Sequence, residues 1–477
     1  MTKAVGLRRW GYAAWVAAIA GFAVLHALNL RADFPNGSPW IFDWAKYTDE
    51  GWYGNAAARA HLFGNWYMAG DFNPAVALPM WPCAEWILYF FTGVKIEAAR
   101  GLAIACFFAS LALSYLLLRA RGTICRPADE EPSARGSKWP ALLAVTLVVT
   151  SPFLYCFSRL AILEPLQTTL TLAAASSAAV DYAAWLALIG RAGLMDDYKY
   201  YFHVNTYSKP PGFYWLPAAF WWSLHGLLWI DRSLVLLSAG IALGAVFMAR
   251  TGWGRRLWSD PLFGGSLWAI AGYAMFMTLQ NHPQPRYYAV PAFFCFFVVA
   301  QGASALLRET GWARYLGWGL VASAVAAACL HGAQTLGYAL HPEYTFVSAA
   351  EQLTQYIDAH PNGKRLLVSI SGDEITLATH LPTLCDDFGT QQLPAKLAAY
   401  QPGWYASWND LDPDRLRDLH THFSVEQVAG FKAFDDPDRD LLVLFKLHPL
   451  PGGQARDPRM QNLRDVLPGD AIDVPVE

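Results

Sequence analysis

Nine apolar runs, at about 10–30, 99–118, 139–157, 165–190, 212–230, 233–249, 263–280, 287–307 and 315–337, constrain this chain more than any other feature. About 20 residues rising 1.5 Å each cover the ~30 Å hydrocarbon core of a bilayer. Lipid offers backbone amides no partners, so a run that crosses must be helical. Only 15% of the 477 residues are charged, where a soluble domain carries about a quarter. A polytopic α-helical membrane protein is therefore expected. The formal net charge of −3 lacks the basic surplus of a general nucleic-acid binder, so no nucleic-acid partner is expected.

Lys and Arg in short loops set the orientation. Arg8 and Arg9, the loop 119–138, "ARTGWGRR" (249–256) and "RETGWAR" (308–314) are the basic segments and are placed inside. The first run is read as a retained span, because a cleaved signal would have an apolar region of only about 7–15 residues. The stretch 77–94, "ALPMWPCAEWILYFFTGV", is interrupted by Pro79, Pro82 and Glu85. If it crossed, the basic loop 119–138 would fall outside, so it reads as an interfacial or re-entrant helix in a first external loop, about 31–98.

Nine spans and an inside N-terminus put the C-terminus outside. The segment 181–211 is too polar for a lipid-facing helix and reads as a loop or a helix sheltered by its neighbours; two further crossings there would raise the count from 9 to 11. From about Pro342 the composition becomes that of a soluble domain, which divides the chain into a transmembrane domain, 1–340, and an external α/β domain, 341–477. "TFVSAAEQLTQYIDAHPNG" reads as an amphipathic helix, "KRLLVSI" and "DLLVLFKLH" as buried strands, and 450–477 as extended or disordered. The seven Cys are scattered without a CxxC and read as small hydrophobes in helices, giving neither disulfide framework nor zinc site.

Polar groupings at the external ends of these spans are the functional candidates, since ionisable residues at that depth are costly. They are Asp49 and Glu50, Arg159 and Glu164, and His282 and Arg286; Lys209 joins them if 181–211 conceals a crossing. A carboxylate can serve as general base or metal ligand. Arg suits a phosphate through its planar fork and Lys through its point charge. Asp43 reads more simply as a solvated loop acid, His203 and His225 as polar fillers, and "SGDE" (371–374) as a turn followed by a helix cap.

The same residues carry a resemblance. "DEGWYGNAAARAHLFGNW" resembles the first-loop pattern of the protein mannosyltransferase and aminoarabinose transferase families, membrane glycosyltransferases of the GT-C fold. "SRLAILEPL", "KPPGFYWLP" and "PRYYAVPAFF" resemble three later segments of those families, in the same order, over about 45–300. The resemblance implies a GT-C fold and transfer of a sugar from a polyprenyl-phosphate donor to a lipid, polysaccharide or protein acceptor, by a single inverting displacement outside the cytoplasmic (inner) membrane. It implies Asp49 as general base, with Glu50 shaping the site or sharing that role. Glu164 stands where the families have Asp, in a metal-binding or acceptor-orienting position. Arg286 and Tyr287 match positions near the donor phosphate, Lys209 a phosphate contact, and Arg159 an ion pair or a ligand contact. Whether a divalent metal takes part is left open, with Asp49 and Glu164 as its candidate ligands. The first loop has "ALPMWP" where aminoarabinose transferases carry K-P-P, which argues against lipid A modification. The alternatives are a transporter or flippase of lipid-linked sugars, which would place charges near the midplane, and a non-catalytic scaffold displaying the outer domain.

Overall fold

The computed structural model of the chain describes residues 2–124, 138–173, 178–204, 221, 224–226, 228, 230–249, 252–280 and 284–450. It is a mostly helical membrane protein with a small C-terminal sheet domain. At the centre of the helical part lies Pro285–Leu306, whose apolar length is buried throughout, with Phe293, Phe296, Val298 and Val299 in the core. Around it pack the helices Ile96–Ile124, Trp139–Thr150, Arg232–Phe247, Pro261–Gln280 and Trp312–Leu340.

Among the described residues, four helical stretches, starting at Trp10, Ile96, Pro285 and Trp312, are long and apolar enough to cross a membrane alone. A fifth forms if Trp139–Thr150 and Pro152–Ser158 are taken as one span bent by 65°. The bend has a local cause. Pro152 has no N–H to continue the first helix, and Ser151, in extended backbone, caps the second by accepting from the Leu154 amide at 3.2 Å. Of the remaining runs, 165–190 is divided between Leu163–Ala173 and Ala178–Arg191, 233–249 forms the 16-residue helix Arg232–Phe247, and 263–280 forms the 20-residue helix Pro261–Gln280. The run 212–230 falls mostly outside the described residues.

The first loop, 31–98, is built of short helices. The helix Asp49–Phe63 ends at Gly64, whose φ of 78° is open to glycine with little strain. Met80–Thr92 divides into two faces: Trp81, Glu85 and Tyr89, four residues apart, are buried, while Trp86, Ile87, Phe90 and Phe91 are exposed. In 181–211 the polar part is a sheltered helix, Met195–Val204. It lies over the first loop, where Tyr67 and Asn73 both donate to Asp197, and against the C-terminal domain, whose Gly389 amide donates to the Tyr200 hydroxyl.

In the C-terminal domain the helix Thr345–Ala359 leads into a five-stranded sheet, β1 (Lys364–Val368), β2 (Thr383–Leu384), β3 (Pro402–Trp408), β4 (Phe423–Lys432) and β5 (Leu441–Pro449), in the order β2-β1-β3-β5-β4. β1 is parallel to β2 and β3, whereas β3–β5 and β4–β5 are antiparallel. Both strands expected from the sequence are present as β1 and β5. The helix Gly372–Thr379 follows β1 and points its N-terminus at the first loop.

Candidate active site

Arg286 is the hub on which three distant acids converge. It stands in the short 3-10 turn Pro285–Tyr288, which breaks from extended backbone at Gln284 into the central helix. Its Nη1 bonds to the Asp43 carboxylate, and its backbone amide donates to the same group at 3.0 Å. Its Nη2 forms an ion pair with Asp49 at 2.7 Å, and its Nε lies 3.8 Å from Glu164 Oε1. Its guanidinium also lies over the Tyr287 ring, 4.6 Å from the centroid. The three acids and the arginine are each at least nine-tenths buried.

Local structure explains why each acid faces inward. Asp43 caps the 3-10 turn Trp44–Lys46 by accepting from the Ala45 amide at 2.9 Å, which fixes its carboxylate beneath the loop. The expectation of a solvated loop acid is thus corrected: Asp43 has no exposed surface, because a cap and a buried arginine share it. Asp49 opens the helix Asp49–Phe63, and the Thr48 hydroxyl donates to its Oδ1 at 2.8 Å. Glu164 opens the helix Leu163–Ala173, and among the described residues its Oε2 has no hydrogen-bond partner. Among the same residues Arg286 Nε makes no hydrogen bond either, so two unused polar groups converge where Arg286 meets Glu164.

Burial pushes the Asp49 carboxyl above the ordinary aspartate value; Arg286 opposes this, and the neighbouring Asp43 and Glu50 reinforce it. A carboxylate poised higher is a stronger base nearer neutral pH.

Tyrosines that the sequence did not single out surround this cluster. Tyr53, four residues after Asp49 and so on its helix face, lies within electrostatic reach of Asp49 and Glu164 and is hydrogen-bonded with Tyr201. Tyr201 comes from the sheltered helix Met195–Val204 and lies within similar reach of Asp49, Glu164 and Arg286. The signal for Tyr53 was its spacing from Asp49; for Tyr201 no local signal existed, because only the folding of that helix over the loop brings it here. On the membrane side, Phe107, Leu154, Phe157 and Phe293 line an apolar cleft that reaches Glu164.

The other expected residues lie elsewhere. Glu50, next to Asp49, points away: Arg100 holds it through Nε at 2.7 Å and Nη2, and the Ala161 amide donates to it at 2.7 Å. Arg159 is not at the cluster and pairs with no acid among the described residues. It donates to the Leu25 and Asn29 carbonyls and to the Tyr155 hydroxyl, so it serves the C-terminal end of the first helix. Arg100 likewise donates to the Leu30 and Ala32 carbonyls. Lys209 and His282 lie outside the described residues. No group of three or more His, Cys, Asp or Glu able to hold a metal exists among the described residues. Asp49 and Glu164, the metal candidates, instead both face the Arg286 guanidinium.

No family model matches the chain, and no curated protein matches it. Among solved structures, a similar chain is that of the "Crystal Structure of ArnT from Cupriavidus metallidurans bound to Undecaprenyl phosphate". The two are 13% identical with a TM-score of 0.40, over 91% of this chain and 98% of that one. At that identity and score the similarity assigns no family.

Proposed function

We propose that this chain is a GT-C membrane glycosyltransferase that transfers a sugar from a polyprenyl-phosphate donor to an acceptor hydroxyl at the external face of the cytoplasmic membrane. The observation that carries the proposal is the convergence of Asp49, Glu164 and Arg286, residues from three segments far apart in sequence, on one buried point. Their order along the chain matches the motifs by which it resembles these transferases.

In this reading the acceptor O–H loses its proton to Asp49 as its oxygen attacks the anomeric carbon. The bond from that carbon to the phosphate oxygen breaks, and the polyprenyl phosphate leaves with the bonding pair. One displacement inverts the anomeric centre. Arg286 stabilises the charge that grows on the leaving phosphate, and Glu164 orients the acceptor through its unpartnered oxygen. Three carboxyl groups around one guanidinium leave little positive charge for a phosphate, so the reading needs a further cation; Lys209 fits that need in its chemistry. The apolar lining of the cleft at Glu164, with Phe107, Leu154, Phe157 and Phe293, suits the prenyl chain chemically. Glu50 is a positioning residue here, through its pair with Arg100.

Purified full-length protein incubated with labelled polyprenyl-phosphate sugars and membrane fractions reads the transfer directly. Asp49→Asn should lower it by about 10²–10⁴, the usual contribution of a general base, while donor binding persists. Full transfer by Asp49→Asn would remove Asp49 as the base.

The transporter alternative rests on ionisable residues inside the membrane part, of which Asp231 and His331, 2.6 Å apart, are the clearest pair. Asp231 also caps its own helix by accepting from the Leu234 amide, so a capping role accounts for the acid.

A further inference from the structure

The helix that carries Asp49 has two working faces. Asp49 and Tyr53 look towards Arg286. Gly51, Asn55 and Arg59, also spaced by four, look towards the outer domain. There the Gly51 amide donates to Glu374 Oε2 at 2.7 Å, Asn55 donates to Asp373 at 3.0 Å, and Arg59 donates to Asp373 at 2.8 Å. Both acids belong to the first turn of the helix Gly372–Thr379, so the N-terminus of that helix packs against one face of Asp49–Phe63.

The first turn of Asp49–Phe63 depends on this contact. Thr48 occupies the capping position but makes no side-chain cap, because its hydroxyl is directed at Asp49 Oδ1 and the Trp44 carbonyl. The third amide of the helix, at Gly51, is therefore satisfied by Glu374, 323 residues later. Burial and the neighbouring Glu50 carboxylate push the Glu374 carboxyl well above its usual range, and its Oε2 accepts from Gly51. Gly51 permits the approach: a Cβ there would overlap the Glu374 amide nitrogen and the Asp373 carbonyl carbon.

We infer that Glu374 is a positioning residue of the active site, a helix cap supplied by the outer domain that frees Thr48 to orient Asp49. The inference rests on the proposed role of Asp49 as base. It makes the outer domain a working part of the catalytic centre, with Gly51 as the point of coupling.

Amide hydrogen exchange and transfer kinetics on the full-length protein test it together. Glu374→Ala should speed exchange over residues 49–54 and lower kcat about tenfold, the effect of losing one helix cap. KM for the donor should stay within about twofold, because no donor contact is lost. Glu374→Gln, which keeps an acceptor for Gly51, should restore slow exchange and most of kcat. Native exchange in Glu374→Ala overturns the cap. Fast exchange with native kcat overturns its link to catalysis, as does an equal loss in Ala and Gln variants. If Glu374→Ala does not fold, Glu374→Gln still decides: a tenfold fall in its kcat overturns the inference. Failure of the underlying reading is separate, since it appears as native transfer by Asp49→Asn whatever Glu374 does.

Discussion

At the scale of single residues, the site is an argument about one cation and its acids. Arg286 touches Asp43 and Asp49 directly and approaches Glu164, so the state of Asp49 depends on all three. Burial raises the Asp49 carboxyl more than Arg286 lowers it. A general base must be deprotonated to work, so transfer should fall as pH is lowered through that raised value and recover as pH rises. The acid limb of kcat/KM against pH should accordingly lie above about 4, the value of an unperturbed aspartate. Asp43→Asn removes a negative neighbour and should move the limb downward; an unmoved limb in that variant would mean that Asp49 does not set it. The motif residues were visible in the sequence because their chemistry is rare beside a membrane. Asp43 was not, since an acid in a loop is ordinarily solvated and only the arrival of Arg286 from 243 residues away buries it.

At the scale of elements, what the sequence displayed and what it hid divide along local and non-local physics. The helix Thr345–Ala359 and strands β1 and β5 follow periodicity and composition that a short window contains, whereas 181–211 read equally as a loop or a sheltered helix. The stripe Gly51, Asn55 and Arg59 could not be read that way, because its partners lie more than 300 residues later. "SGDE" read as a turn and cap; in the fold Ser371 makes no side-chain cap, and Asp373 and Glu374 turn outward to bind the first loop. Arg59 is the cation of this contact, pairing with Asp373. It is nearly fully buried between Asp71 and Asp373, and Lys396 reaches Asp71 from the far side at 3.0 Å. Arg59→Ala leaves two buried carboxylates with less cation and should destabilise the protein by about 3–5 kcal/mol. Thermal unfolding followed by the outer domain's tryptophans would measure this, and a melting temperature within a degree of native would show that the network contributes little.

At the scale of the whole molecule, composition changes near Pro342 while packing does not divide there. Tyr47 of the first loop lies in the core of the C-terminal sheet domain with Phe346, Leu353, Trp404 and Phe434. Leu377 of that domain lies in turn among Ala57, Trp81, Tyr89 and Ile96. Lys46, buried, pairs with Asp436 across the same boundary. Asp33 of the first loop caps the domain's first helix by accepting from the Phe346 amide at 2.8 Å. Apolar side chains and charges are thus exchanged in both directions, as in one core rather than at a mobile interface between domains. A chain ending at residue 341 would keep every apolar run but expose Tyr47 and the Gly51 face and strip Arg59 of Asp373. It should therefore insert in the membrane yet elute aggregated from gel filtration in detergent, without transfer activity. Co-expression of residues 342–450 should restore little, because the buried pairs must form as the loop folds. A monodisperse, active 1–341 chain would show instead that the loop holds Asp49 in place unaided.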